Sequence, residues 1–146
     1  MKISRAFEED IESLCRIEKE HEGYAFWGKA GFEAEFSKPF SVTLKAQEGN
    51  LTAGFINFWI LRPKTEINTL VVSKSFLRRG IGKALLNKAL EYAKKNECNQ
   101  ALLEVSCVNA AAVSLYLSMG FEKISVRPKY YNNTYDALVM AKRIEI

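Results

Sequence analysis

The chain has 146 residues, 48% of them hydrophobic and 26% charged, with a formal net charge of +4. That is the size and composition of one globular domain, residues 1–146, with a core of its own, and it excludes a disordered tail or a fibrous repeat. No apolar run approaches the roughly eighteen residues of a membrane-spanning helix, and the opening MKISRAFEEDIESL lacks the basic-then-apolar layout of a secretory leader, so a cytoplasmic protein is expected. Cys15, Cys98 and Cys107 form no Cys-x-x-Cys pair and His21 is the only histidine, so neither a disulfide framework nor a metal site is expected. The charge is unevenly spread: residues 1–36 carry five basic and nine acidic side chains, whereas residues 78–95 carry six basic and one acidic. An anionic ligand is expected at the second region.

In chain order, KISRAF reads as a short strand and EEDIESLCRIEKEH as a helix, with Ile11, Leu14, Cys15 and Glu18 at helical spacing. YAFWGKAGFEAEFSK is assigned a loop and a second short helix. FSVTLKAQ and LTAGFINFWIL are β-branched and aromatic runs split by the turn EGN, and RPKT turns into EINTLVVS. Three consecutive antiparallel strands follow from that pattern. Ile81, Leu85, Ala89 and Tyr92 or Ala93 then repeat at helical spacing, and ALLEVS is a short buried strand. Asn109 suits an N-cap, AAAVSLYLSM a helix, and Gly120 a left-handed cap before FEKISV resumes extended structure. RPKYYNNTY is assigned a loop and DALVMAKRI a final strand. The order βααβββαβαββ describes an α+β sandwich on a mixed, twisted sheet with helices on both faces and a parallel crossover across residues 66–106.

The stretch FLRRGIGKALL, between the third of those strands and its helix, fails two phosphate fingerprints. The third position of a Gly-x-Gly-x-x-Gly falls on Leu85, and a P-loop needs a glycine where Leu77 stands and a Ser or Thr where Ala84 stands. Backbone amides at the helix start, with the helix dipole, still suit a pyrophosphate. By itself the loop fits a tight turn with solvated arginines equally well.

Together with LEVSCVNAAAVSLYLSMGF downstream, TLVVSKSFLRRGIGKALL resembles the two central motifs of the Gcn5-related N-acetyltransferase (GNAT) superfamily. LEV, NAAAVSLYLSMGF and KYYNNTYDALVMA are similar to its RimI-like branch of ribosomal-protein alanine N-acetyltransferases. The resemblance implies acetyl-CoA as co-substrate, its pyrophosphate on the amides of Arg78, Arg79, Gly80, Ile81, Gly82 and Lys83. It also implies that the strand at Leu70, Val71 and Val72 splays from its neighbour and pairs its backbone with the pantetheine arm, an amide there polarising the thioester carbonyl. Two departures stand out: Leu77 replaces the usual Gln or Arg three residues before the first glycine, and the loop before Asp136 is short.

Acetyl transfer to an amine needs a base for the amine proton and an acid for the departing thiolate. Glu104 alternates away from Leu103 and Val105, and it matches the branch's proton acceptor. Tyr116 lies seven residues, almost two turns, beyond Asn109 and so shares its helix face. The family assigns the tyrosine the acid role and Asn109 a contact to pantetheine, although an aromatic at such a position is ordinarily core. Tyr130 and Tyr131 are candidate acceptor-groove residues, and Glu22, Glu33 and Glu35 supply an acidic field for a cationic N-terminus. Cys107 is expected to be a bystander to direct attack in a ternary complex. The expected acceptor is a protein N-terminus, as in a ribosomal protein with N-terminal alanine; a small amine or lysine is the alternative. A basic nucleic-acid-binding module is a third reading, disfavoured because the basic residues lack interleaved aromatics. Neither direct nucleic-acid nor membrane contact is expected, and the expected state is a monomer or weak homodimer.

Overall fold

A computed structural model describes residues 1–21, 26–131 and 135–145, with positions 129–131 described by backbone alone. Strand β1 (Lys2–Arg5) leads through a short turn of 3-10 helix into α1 (Ile11–Lys19) and α2 (Gly28–Phe36). The meander β2 (Ser41–Glu48), β3 (Leu51–Leu61) and β4 (Lys64–Val72) follows, then α3 (Ile81–Lys95), β5 (Gln100–Ser106), α4 (Ala110–Ser118), β6 (Glu122–Tyr131) and β7 (Tyr135–Arg143). The strands form one seven-stranded sheet in the order β1-β2-β3-β4-β5-β7-β6, antiparallel except for β4 against β5. The expected α+β order and the parallel crossover through α3 are both present.

Two apolar layers hold the helices to the sheet. Ile81, Leu85, Leu86, Ala89 and Ala93 of α3 are buried with Ile56, Phe58, Leu103, Val105 and Met140 on one face. On the other, Leu14 and Ile17 of α1 and Phe32 of α2 pack on Phe55 and Val71. Ile17, which the sequence pattern passed over, is part of that core, while Cys15 is only half-buried. The 127–135 loop expected from the sequence is corrected in part: β6 runs on to Tyr131 and β7 begins at Tyr135. Pro128 stands within β6, which is the outermost strand, where a missing amide donor is tolerated.

The sheet divides at β4. Pairing with β5 covers only Lys64–Ile67 against Gln100–Leu103, although β4 continues to Val72 along β3 and β5 continues to Ser106 along β7. At the point of departure the β3–β4 register shifts: Asn57 pairs with Thr69 and Phe58 with Ile67, which leaves Asn68 as an extra residue in β4. A β-bulge bends its strand and raises the local twist, so β4 turns away from β5 here.

A polar chain anchors the bulge. Asn68 Nδ2 donates to Asn57 Oδ1 at 2.9 Å, and Asn57 Nδ2 donates to Ser41 Oγ and Thr43 Oγ1, both at 2.9 Å. Ser41 Oγ and Trp59 Nε1 each donate to Glu35 Oε1 at 2.7 Å, and Lys38 pairs with Oε2 of the same carboxylate. Asn57 is 0% exposed and Glu35 is 7% exposed, so the expectation that Glu35 supplies an acidic surface is corrected: its charge is spent inside the fold. Burial pushes the Glu35 carboxyl up, but the hydrogen bonds from Lys38, Trp59 and Ser41 and the Lys38 charge outweigh it, and it titrates below the ordinary carboxylate range. A carboxylate depressed in this way stabilises the fold above its unfolded pKa of about 4.3 and loses that contribution as pH falls through the folded value. Glu35→Gln is therefore expected to cost about 1–3 kcal/mol at pH 7. In urea unfolding the gap to the wild type should narrow below about pH 4, and a gap that persists there would rule out the ionised carboxylate as its source.

Candidate active site

The cleft is built from backbone. Ser73 N donates to Ala53 O at 2.8 Å, which makes Ser73–Ala53 a hydrogen-bonded pair of the antiparallel ladder. By alternation Val71 turns its amide and carbonyl to β3, whereas Leu70 and Val72 turn theirs away, into the gap left by β5. The approach of Val71 O to within 2.8 Å of where a Cβ at Gly54 would stand agrees with this. Of the three expected backbone partners, Leu70 and Val72 thus face the cleft, and Val71 backs the strand with its side chain in the α1 and α2 core.

At its far end β4 is gripped by the residues that end α1. Glu20 accepts from Lys74 N at 2.8 Å and from Ser73 Oγ at 3.1 Å, and His21 Nε2 donates to Val72 O at 2.7 Å. These contacts, which the sequence reading did not anticipate, clamp the strand where it enters the glycine turn.

In that turn Arg78 has φ 64° and Gly80 φ 75°, and Gly80 is the N-cap of α3 with no side chain to satisfy the first-turn amides. Those of Ile81, Gly82 and Lys83 therefore open the helix unclaimed by a cap, at its positive end. Arg78, Arg79 and Lys83 are exposed around them, and the Arg79 guanidinium lies 5.2 Å from the Phe76 ring centroid. Leu77, 50% exposed, stands outside this contact. A Cβ at Gly82 would lie 3.5 Å from Leu115 of α4 and 3.6 Å from Val72, so the turn, the cleft strand and α4 meet at one point. An anionic head here and an extended arm along Leu70 and Val72 fit the pyrophosphate and pantetheine of acetyl-CoA.

The two candidate catalytic side chains lie on opposite sides of the sheet. Ala101, Leu103 and Val105 of β5 are buried toward α3, so Glu104 projects to the other face, as alternation predicts. Among the described residues no helix covers that face over β5, because α1 and α2 lie on β2, β3 and β4. Glu104 is half-buried, and Arg127 Nη2 of β6 bonds its Oε1 at 3.1 Å, a partner not foreseen from sequence. Ser106, two residues further along, has a buried Oγ with no hydrogen-bond partner among the described residues, a spare polar group where the strands diverge.

Tyr116 belongs to the helix side: it is 7% exposed, in the core cluster, with its ring 5.7 Å from that of Phe121. Asn109 caps α4 by accepting from Ala112 N at 3.2 Å. The core and cap readings of these two residues therefore both hold as far as the ring and the Oδ1 are concerned. Cys107 is exposed beyond the end of β5. The side chains of Tyr130 and Tyr131 lie outside the described residues, as does Glu22; Glu33 is exposed on α2. Among the described residues no His, Cys, Asp and Glu cluster is arranged to hold a metal, and no helix is long and apolar enough to cross a membrane. Surface depressions of about 980 Å³ beside Gln100 and Lys142 and about 890 Å³ between α1 and α2 lie away from the cleft.

The sequence matches the profile of the acetyltransferase (GNAT) family over residues 5–121. It is 31% identical over 140 residues to the ribosomal protein bS18-alanine N-acetyltransferase of Escherichia coli K12, covering 94% of this chain and 93% of that one. The crystal structure of the ribosomal-protein-S18-alanine N-acetyltransferase from Escherichia coli superposes with a TM-score of 0.91 at 25% identity, over 99% of this chain and 94% of that one. The chain also spans about a third (34%) of a longer, uncharacterised Mycobacterium leprae protein, at 28% identity over 127 residues. The chain belongs to the acetyltransferase (GNAT) family and is an acetyl-CoA-dependent N-acetyltransferase.

Proposed function

We propose that the acceptor is the N-terminal α-amine of a protein, with a ribosomal protein that begins with alanine as the first candidate. The observation that carries this reading is Glu104 on the open face of β5, beside the cleft, in a chain 31% identical over 94% of its length to an enzyme named for bS18 alanine. In this reading residues 1–146 work as one acetyltransferase domain in the cytoplasm, as a monomer or weak homodimer.

Acetyl-CoA supplies an activated thioester carbonyl. The amides of Ile81, Gly82 and Lys83, with the charges of Arg78, Arg79 and Lys83, hold the pyrophosphate; Val72 and Asn109 hold the pantetheine arm. Leu70 N–H points into the cleft and meets the carbonyl oxygen as negative charge builds on it, a donor of the kind whose removal costs about 3–4 kcal/mol. The amine arrives from the face that α1 and α2 leave open, so donor and acceptor approach the gap from opposite sides. Direct attack needs no acyl-enzyme, and Cys107 has no step to perform.

Glu104 takes the proton of the amine, and Tyr116, from the α4 side, gives one to the sulfur as the C–S bond breaks. An α-amine, with a pKa of about 7.7–8.0, asks less of this base than a lysine near 10.4. Arg127 keeps the carboxylate turned to the face where the amine arrives. Tyr130 and Tyr131, whose side chains lie outside the described residues, are the candidates for the peptide groove.

Glu104→Gln is expected to lower kcat by about 10²–10⁴-fold with little change in the KM for acetyl-CoA. Tyr116→Phe should lose turnover while still binding CoA, measured by calorimetry; unchanged turnover in either variant would remove that residue from the mechanism. Incubation with acetyl-CoA and a panel of N-terminal peptides, lysine peptides and polyamines, followed by mass spectrometry, should give product on peptide α-amines. Product on polyamines or lysines alone would overturn the proposed acceptor.

A further inference from the structure

The polar chain beneath α2 has a direction, and its end emerges beside Glu104. Glu35 is a carboxylate and only accepts. Ser41 gives its single proton to Glu35, so toward Asn57 it can only accept, and Asn57 must turn its Nδ2 to Ser41 and Thr43. Asn57 is then left with Oδ1 toward Asn68, which must answer with Nδ2. The ionised carboxylate thereby sets the orientation of an exposed carboxamide three hydrogen bonds away, and Asn68 carries its Oδ1 outward.

The register locates that oxygen. Glu66 pairs with Leu102 and Ile67 with Leu103, so Asn68 and Glu104 are the next positions along strands that part just there. Both lie on the face opposite α3: Asn68 bonds Asn57 on the α2 side, and Glu104 alternates away from the buried Leu103. Arg127 reaches Glu104 from β6, on the far side of β5. Among the described residues, the approach to Glu104 that Arg127 does not occupy is from the β4 side, where Asn68 stands.

We propose that Asn68 is a specificity-determining residue of the acceptor site, its Oδ1 accepting a hydrogen bond from the substrate's α-amine while Glu104 receives the proton. A neutral α-amine with one N–H on Asn68 Oδ1 and the other on Glu104 has its lone pair directed at the thioester carbonyl in the gap, and Glu104 takes its proton as the N–C bond forms and the C–S bond breaks. This rests on the reading of Glu104 as the base and of an N-terminal amine as the acceptor.

The test is a steady-state comparison using an Ala-initiated peptide as substrate and its des-amino analogue as competitive inhibitor. If the wild type does not acetylate the peptide, the acceptor reading fails by itself. If it does, Asn68→Ala is expected to lower kcat/KM for the peptide by about ten- to a hundredfold, the size of one hydrogen bond to a charged group. Its KM for acetyl-CoA should stay within about twofold, and its preference for the amine-bearing peptide over the des-amino analogue should shrink in step. Asn68→Ser, whose hydroxyl can donate to Asn57 and still accept from the amine, should retain more of that preference than Asn68→Ala. An active wild type paired with an Asn68→Ala variant that keeps its amine preference, or that loses acetyl-CoA affinity equally, would overturn the proposal and leave Asn68 as a support for the bulge alone.

Discussion

The parting of β4 from β5 is the constraint on which the other features depend. A parallel pair that stayed in register to Val72 and Ser106 would satisfy its backbone groups within the sheet and leave nothing for a ligand. One extra residue at Asn68 prevents this, and each half keeps its remaining neighbour: β4 continues on β3, and β5 on β7. His21 takes the Val72 carbonyl, and the remaining groups of the Leu70–Val72 edge suit a ligand arm with amides of its own. An active site is here a strand pairing that the protein declines to make with itself.

Holding the gap open requires both halves to be rigid, and different forces do this on each face. On the α3 side the grip is apolar, with Leu85, Leu86 and Ala89 fully buried and the helix lying over β3 and β4. On the α2 side it is partly polar, and Asn57 at 0% exposure joins β2, β3 and β4 through side-chain hydrogen bonds. A buried amide with every bond made is directional in a way apolar packing is not, so it can set both the position of the bulge and the orientation of Asn68. Glu20 and His21 add a third tie at the mouth of the cleft.

The charge distribution follows the same division. Arg78, Arg79 and Lys83 surround the α3 N-terminus, where backbone dipoles already favour an anion, while Lys94 and Lys95 lie in the last turn of the helix and the acids of the first third lie on the α1 and α2 side. In the proposed reading, cofactor and acceptor are sorted by field as well as by shape. Glu35, however, is spent inside the fold, so a count of acidic residues overstates the field that an incoming amine meets.

Much of the fold was legible in local patterns, because period 2, period 3.6, caps and glycine turns act over a few residues at a time. LTAGFINFWIL matches its strand at both ends, Gly120 takes a left-handed φ of 93°, and Glu104 faces away from Leu103 and Val105 as alternation requires. The sequence by itself determined the order of elements, the glycine turn before α3 and, through the resemblance of two separated motifs, the acetyl-CoA chemistry. Only the tertiary structure decided which groups meet across long separations: Asn68 with Asn57, Glu35 with Trp59, Arg127 with Glu104 and His21 with Val72. Those contacts depend on strand register and on which strands are neighbours, and a one-residue bulge changes both without leaving any periodic mark in the chain.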